Sequence, residues 1–215
     1  FNLEVGNFFV ATNVVDQKLR LLLRNEEHRQ LTCINLIASE NFCSSAVLKL
    51  SGTVLTNKYS EGYPACRYYE GCQVIDQIEL LAQKRARQLF ACRCPDQDPN
   101  CQRANHYVNV QPASGSDANA AVYCGLLTPG DTVLSMSLKA GGHLTHGARV
   151  SFSGRYFNSV HYGVHPVTFR LDYGEIEQLA VQHQPRIIIA GFSAYAFRID
   201  WVRFRRIANR VGAWL

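Results

Sequence analysis

A chain of 215 residues, 47% of them hydrophobic and 18% charged, is long enough to bury a core and too apolar for a disordered segment. Its formal net charge of +5 is spread along the chain, with one local cluster at Arg203, Arg205, Arg206 and Arg210 that reads as a solvated helix face. No basic stripe interleaved with aromatics is present, which argues against a nucleic-acid partner, while a mild positive field suits anionic small molecules such as phosphates. No apolar run reaches the ~20 residues that cross a bilayer, and the start FNLEVGNFFVATNVV has no basic n-region, so neither a membrane span nor a signal peptide is expected. Position 1 is Phe1 rather than Met, so the natural N-terminus is expected upstream.

Residues 13–30 fit a helix, because Val15, Leu19, Leu22 and Leu23 recur near the helical period after Asn13 or Thr12 as N-cap. Residues 44–57 give a second helix, with Val47, Leu48, Val54 and Leu55 on its stripe. A loop at 58–71 turns at Gly62, Tyr63 and Pro64. Residues 73–91 read as a third helix with Ile75, Ile78, Ala82, Ala86 and Leu89 inward, and the polar stretch 92–105 as an exposed insertion. Strands and helices then alternate. Strand 106–111 leads to helix 116–127, strand 132–136 to a short helix start at 141–147, and strand 160–163 to helix 173–183. An Ile-rich strand at 186–190, buried on both faces, is followed by helix 201–211 and a strand beginning at 213–215. The alternation predicts an α/β fold with a mostly parallel sheet, preceded by a helical arm.

The eight cysteines (Cys33, Cys43, Cys66, Cys72, Cys92, Cys94, Cys101 and Cys124) follow no secretory framework and are expected as free thiols in a reducing compartment, the cytoplasm. Cys92, Cys94 and Cys101, with His106 nearby, come closest to a metal spacing but match no paired zinc pattern, so no metal is expected.

Four stretches carry chemistry. In LIASENFCSSAVLKLSGTVLTNKYSEGYPACRYYEG, residues 36–71, polar aromatics and carboxylates interleave with Gly and Pro around one short helix, which is the composition of a site-building loop. In VNVQPASGSDANAAVYCGLL, residues 108–127, a strand gives way to Ser114, Gly115 and Ser116 and then to a small-residue helix. The first-turn amides of such a helix, with the positive end of its dipole, form an anion cradle. The alternative is a plain N-cap made by Ser116 or Asp117. In GGHLTHG, residues 141–147, two glycines permit close packing of His143 against a flat ligand; a glycine-rich turn with two satisfied histidines is the rival reading. GFSAYAFRIDW, residues 191–201, follows the Ile-rich strand, where α/β proteins place ligands.

Taken in order, these motifs closely resemble serine hydroxymethyltransferases over residues 14–215. The resemblance implies a fold-type-I pyridoxal-phosphate fold, with a helical arm and dimer contact at 1–60 and an incomplete cofactor-binding large domain at 61–215. It implies interconversion of serine and glycine with tetrahydrofolate as co-substrate, in a cytoplasmic homodimer or tetramer. By resemblance, Ser114, Gly115 and Ser116 hold the cofactor phosphate, His143 stacks on its ring, Ser193 meets the ring oxygen, and Tyr59 lines the same site. Ser39 and Tyr69 meet the substrate, with Glu61 near its hydroxyl as the acid–base group. Tyr68, Leu138, Gly142, His143 and Leu144 contact the folate. Much of the 58–71 loop serves the neighbouring subunit. The departures are the Cys-rich insertion, Lys139-Ala140 before the glycine pair, Ala113, and Ala196-Phe197 before Arg198; Asp117 beside the cradle stands at a position that varies in the family.

The same resemblance places the Asp that pairs with the pyridine nitrogen, the Schiff-base lysine and the substrate-gripping Arg beyond Leu215. The 215 residues alone are therefore expected to be inactive. Two rival readings are a fold-type-I aldolase or aminotransferase without folate, and a non-catalytic truncated homologue.

Overall fold

A computed structural model describes residues 16–90 and 107–215. The chain divides into two compact units, Phe1–Gln111 and Pro112–Leu215.

The first unit is helical with one small hairpin. Helix α1, Gln17–Thr32, is capped by Asp16, whose carboxylate accepts the amides of Lys18 at 2.8 Å and Leu19 at 3.1 Å. Thr12 and Asn13, the expected caps, lie outside the described residues, and the cap is Asp16. Helix α2 spans only Ser45–Ser51, capped by Ser44. The single helix expected over 44–57 breaks at Gly52 and Thr53, where the Thr53 hydroxyl turns back to the Leu50 carbonyl at 2.9 Å, and resumes as a 3₁₀ turn over Val54–Asn57. Within the expected loop, β1 (Gly62–Tyr63) and β2 (Cys66–Arg67) pair antiparallel. Gly62 is required there, since its φ is +97° and a Cβ would lie 2.5 Å from the Cys66 carbonyl oxygen. Helix α3 covers Gln73–Phe90.

Residues 107–111 form no strand, contrary to the reading of 106–111; His106 lies outside the described residues. The Asn109 side chain accepts the Gln111 amide at 2.9 Å, a local bond that diverts this backbone from a ladder. Nor are the apolar stripes of the first unit covered. Helices α1, α2 and α3 have no buried residue, and Leu19, Leu22, Leu23, Val47, Leu48, Val54, Ile78 and Leu89 are exposed. Ile75, Ala82 and Ala86 are half-buried.

The second unit is a three-stranded parallel sheet in the order β4-β3-β5, where β3 is Thr132–Met136, β4 Asn158–Tyr162 and β5 Ile187–Ile188. Trp214 bridges to Ile187 in parallel, so the chain enters the sheet again where a strand was expected. Alternation along β3 sends Leu134 and Met136 to a core with Tyr162, Ile176, Ile188, Phe204 and Ile207. Val133 points the other way, to Tyr123, Leu127 and Ile187. The first core is closed by α6 (Tyr173–His183) and α7 (Trp201–Val211), the second by α4 (Gly115–Leu126). Burial on both faces is what parallel strands require, and the Ile-rich strand meets it, although its ladder is shorter than expected. Helix α5, Phe152–Tyr156, was not anticipated. The arginine cluster lies on the exposed side of α7, opposite Phe204, Ile207 and Ala208, and Arg210 pairs with Glu177 at 2.5 Å.

Candidate functional site

The second unit positions three of the four stretches. Ser114 is extended, with φ −151°, and its hydroxyl accepts the Asp117 amide at 3.2 Å while its carbonyl accepts that of Ala118 at 3.0 Å. The N-cap is thus Ser114, two positions before Ser116 and three before Asp117, the capping residues considered from sequence. A helix offers no internal acceptor to its first amides. Ser114, Gly115 and Ser116 are exposed, and a Cβ on Gly115 would meet nothing within 4 Å among the described residues, which leave the space over these amides open. Capping and anion binding are compatible here.

After β3 the chain turns through the glycine pair. Gly141 has φ +116°, and its carbonyl accepts the amides of Ser193 at 2.9 Å and Ala194 at 3.1 Å. Gly142 is buried, and a Cβ there would lie 2.2 Å from the Met136 carbonyl oxygen. The atoms close to both glycines are therefore backbone, of Met136 and Ala194, and the close packing expected against a flat ligand is made against the chain itself. The Gly141 bonds also hold the half-buried Ser193 beside this turn.

His143 is half-buried, with its Nδ1 2.8 Å from the Thr145 hydroxyl and 3.1 Å from the Thr145 amide. Its own amide donates to Nδ1 of His146 at 3.1 Å. Burial lowers the His146 pKa, helped by the nearby His143 and His161. Asn119 on α4 donates to the Thr145 hydroxyl at 2.7 Å, and Tyr123 on the same helix donates to the Thr145 carbonyl at 2.9 Å. Burial pushes the Tyr123 phenol up, so it stays a donor. Leu138 and Leu144 flank the turn and are exposed.

The remaining stretch is in the first unit. Tyr59 and Tyr69 meet edge to face, with centroids 5.4 Å apart. The organiser is Arg67. Its Nε donates to Asp76 at 2.8 Å and its Nη2 to Glu79 at 2.7 Å, both on α3. Its Nη1 donates to the carbonyls of Ser60 at 2.8 Å and Gly62 at 2.6 Å. Those carbonyls flank Glu61, whose own carbonyl accepts the Tyr68 amide at 3.1 Å. Gln111 adds bonds to the Gly62 carbonyl at 2.9 Å and to Glu79 at 3.0 Å. The Ala65 amide, then the Arg67 guanidinium, hold the Asp76 carboxyl below its usual range. The backbone around Glu61 is fixed while its side chain is exposed. Tyr59 is 70% exposed and Tyr68 79%. Ser39 lies in an exposed turn, and among the described residues no hydrogen bond joins it to the hairpin.

Sequence reading placed Arg67 in this stretch without a role and passed over Asp76, Glu79, Asn119 and Thr145. The available signal was the i, i+3 spacing of Asp76 and Glu79, which puts two carboxylates on one face of α3. The five described cysteines, Cys33, Cys43, Cys66, Cys72 and Cys124, are free. Cys92, Cys94, Cys101 and His106 lie outside the described residues. Among the described residues no helix is long and apolar enough to cross a membrane.

A family model described as serine hydroxymethyltransferase matches residues 12–215. The chain belongs to the serine hydroxymethyltransferase family. A serine hydroxymethyltransferase of Acinetobacter radioresistens is 54% identical over 200 residues, which cover 93% of this chain and 45% of that relative. One from Methylococcus capsulatus gives the same identity and the same coverage, 54% over 93% and 45%. One from Acinetobacter baumannii is 52% identical over 206 residues, covering 96% and 46%. This family member thus spans less than half the length of the curated relatives it matches.

Proposed function

We propose that this chain provides cofactor- and substrate-binding segments of a fold-type-I enzyme that converts serine and tetrahydrofolate to glycine and 5,10-methylenetetrahydrofolate. The observation that carries the proposal is a pair of links in the second unit, Asn119 to Thr145 and Ser193 to Gly141. They tie the first turns of α4, the His143 turn and the Ser193 loop together beside one parallel sheet, the usual place for a ligand in such folds. The donor set fits pyridoxal phosphate: open amides and two hydroxyls for a dianion, a half-buried imidazole for a flat ring, and the Ser193 hydroxyl beside it.

Pyridoxal phosphate, when bound, supplies an electron sink for bond cleavage at the amino-acid α-carbon. The chain's own residues do the rest of the work assigned here. Ser114, Gly115 and Ser116 would grip the phosphate, His143 would stack on the ring and Ser193 would bond its ring oxygen, with Tyr59 of a neighbouring copy lining the same site. Ser39 and Tyr69 orient serine. Glu61 exchanges a proton with the serine hydroxyl oxygen, its backbone fixed by Arg67 so that the carboxyl moves only about its own side-chain torsions. Tyr68, Leu138, Gly142, His143 and Leu144 line the folate side; because Gly142 is buried, its contribution is to let the turn lie close to β3.

The reading extends to a cytoplasmic homodimer. The exposed leucines of α1, with Val47 and Leu48 of α2, form apolar faces that a second copy would cover, and the division into an arm at 1–60 and a cofactor-binding segment at 61–215 belongs to the same proposal. Sedimentation of the chain as a stable monomer at low micromolar concentration would overturn the dimer. The activity is tested in a chimera in which this chain replaces the matching segment of the Acinetobacter radioresistens relative. Glycine formation that depends on both pyridoxal phosphate and tetrahydrofolate is expected. A chimera that binds the cofactor and cleaves or transaminates without any response to folate would favour a folate-free aldolase or aminotransferase instead.

A further inference from the structure

We propose that Thr145 and Asn119 are positioning residues that fix the tautomer and plane of His143, so that its Nε2–H faces the ligand. The proposal rests on the cofactor reading for its purpose, but not for its geometry.

One donor to the His143 ring has a polarity that cannot change. The backbone N–H of Thr145 points at Nδ1 of His143, 3.1 Å away, and a backbone N–H only donates. Nδ1 therefore presents its lone pair, and in the neutral imidazole the hydrogen sits on Nε2. The Thr145 hydroxyl, 2.8 Å from the same Nδ1, must then donate as well. Its oxygen keeps lone pairs free, and Asn119 fills one from Nδ2 at 2.7 Å, which also settles which end of the Asn119 amide faces inward. Every hydrogen along Asn119, Thr145 and His143 is directed by the first bond.

The frame around this chain of bonds is rigid. Thr145 is 4% exposed, and its carbonyl is held by the Tyr123 phenol. The His143 amide donates to Nδ1 of His146, so the backbone carrying the ring is anchored too. Asn119 and Tyr123 stand four residues apart on one face of α4, the helix whose first turn is the anion cradle. The phosphate end and the ring end of the proposed cofactor site are thus set by one helix. With the other tautomer, Nε2 would turn a lone pair toward the ligand and repel any oxygen there.

The test is spectroscopic and needs no bound cofactor. In the 215-residue chain labelled with ¹⁵N-histidine, nitrogen chemical shifts report which ring nitrogen carries hydrogen. His143 is expected as the Nε2–H form. Thr145→Val keeps the shape and the backbone N–H but removes the hydroxyl, and Asn119→Asp replaces the donor by an acceptor that draws the Thr145 hydrogen away. Both are expected to shift the His143 nitrogen signals and loosen the ring, since Nδ1 loses one of its two donors, while the Nε2–H form stays the major one because the Thr145 backbone N–H remains; Thr145→Ser should retain the original signature. The His146 and His161 signals serve as a control for folding. An Nδ1–H tautomer in the unmodified chain would overturn the proposal. So would unchanged His143 signals in the folded Val and Asp variants, or loss of the signature in Thr145→Ser. In the chimera, Thr145→Val should weaken pyridoxal phosphate retention about fivefold, the size of one lost hydrogen bond, with Thr145→Ser near the parent. An inactive chimera with the expected tautomers would sink the enzymatic reading and leave this one standing.

Discussion

Each helix of residues 112–215 buries part of one face: α4 buries Tyr123, α5 Ser153, α6 Ile176 and Ala180, and α7 Phe204, Ile207 and Ala208. Helices α1, α2 and α3 of the first unit bury none. The proposed site residues follow this split. His143 and Ser193 are carried on turns fastened to a packed sheet, where a shift of backbone meets a full core. Glu61, Tyr68 and Tyr69 are carried on a hairpin fastened by one guanidinium to two carboxylates and two carbonyls. The first arrangement is rigid because it is dense, the second because a few strong polar bonds are satisfied at once. An amphipathic stripe specifies that a face wants covering; it does not name the cover.

The comparison is broken most severely if the hairpin carries no chemistry. In the chimera, Glu61→Gln keeps the size of the side chain and the clasp beneath it, but the amide cannot exchange a proton. Folate-dependent turnover is expected to fall by roughly 10²-fold or more, the scale of one acid–base group. Pyridoxal phosphate binding should survive, since the proposed phosphate cradle at Ser114, Gly115 and Ser116 is untouched. Retained turnover with lost cofactor would make Glu61 a structural residue.

The density of the second unit is tested at Gly142. A Cβ there would lie 2.2 Å from the Met136 oxygen, 3.0 Å from the Met136 carbonyl carbon and 3.0 Å from the Ser137 oxygen. All three are backbone atoms at the end of the central strand, with no flexible side chain to give way. Gly142→Ala should destabilise the second unit by at least the ~1–3 kcal/mol usual for overpacking. Thermal melting and amide exchange across β3 measure it. A melting temperature equal to the parent's would show that the turn gives way and that the packing is looser than the distances state.

Acid separates the units next, by its onset. The folded-state pKa of His146 is depressed from 6.5 by burial, then by His143 and His161. A depressed value means that its contribution is complete above the unfolded pKa and is lost as pH falls through the folded one. The second unit should therefore begin to soften below about 6.5, the unperturbed histidine value. Asp76 is depressed from 3.8, by the Ala65 amide first and Arg67 second, and the same sign applies. The clasp should hold at any pH above 3.8 and loosen only as pH drops through the lower folded value. Amide exchange at Ala65 and Tyr68 against that of Thr145 gives both onsets in one titration. Asp76→Asn should abolish the lower step, and His146→Gln the upper.

What sequence made legible follows the same division. Strand β3 and helices α6 and α7 fall where the pattern put them, because each has a stripe to bury, and Asp172 and Asp200 cap the two helices. The Ser-Gly-Ser turn before α4 and the glycine turn at His143 were readable as turns because the bonds that form them are local. Asn119 and Thr145 were not, since they meet across 26 residues and a strand. Arg67 grips carboxylates 9 and 12 residues away that sit in a run otherwise indistinguishable from a solvated helix face. Over 107–111 the expected strand is not formed, and the Gln111 amide goes to the Asn109 side chain rather than to a ladder. The inward faces assigned to α1, α2 and α3 rested on periodicity, which shows where apolar residues align and nothing about what lies opposite.

The smallest effect comes from the first unit's counterpart to Gly142. Gly52 ends α2 at φ −101° and ψ 18°, a conformation open to any residue, and a Cβ there would meet none of the described residues within 4 Å. Alanine at this position has no neighbour to displace and no positive φ to adopt. Its main action is on the unfolded chain, which loses conformational freedom, so Gly52→Ala should stabilise by about 0.4–1 kcal/mol. The two glycine substitutions, identical in chemistry, are therefore expected to differ in sign. Urea denaturation followed separately by probes in each unit reads both values. If Gly52→Ala destabilises instead, an atom from beyond the described residues must occupy the space beside α2. The exposed face would then be already covered in solution, as the proposed second copy would cover it.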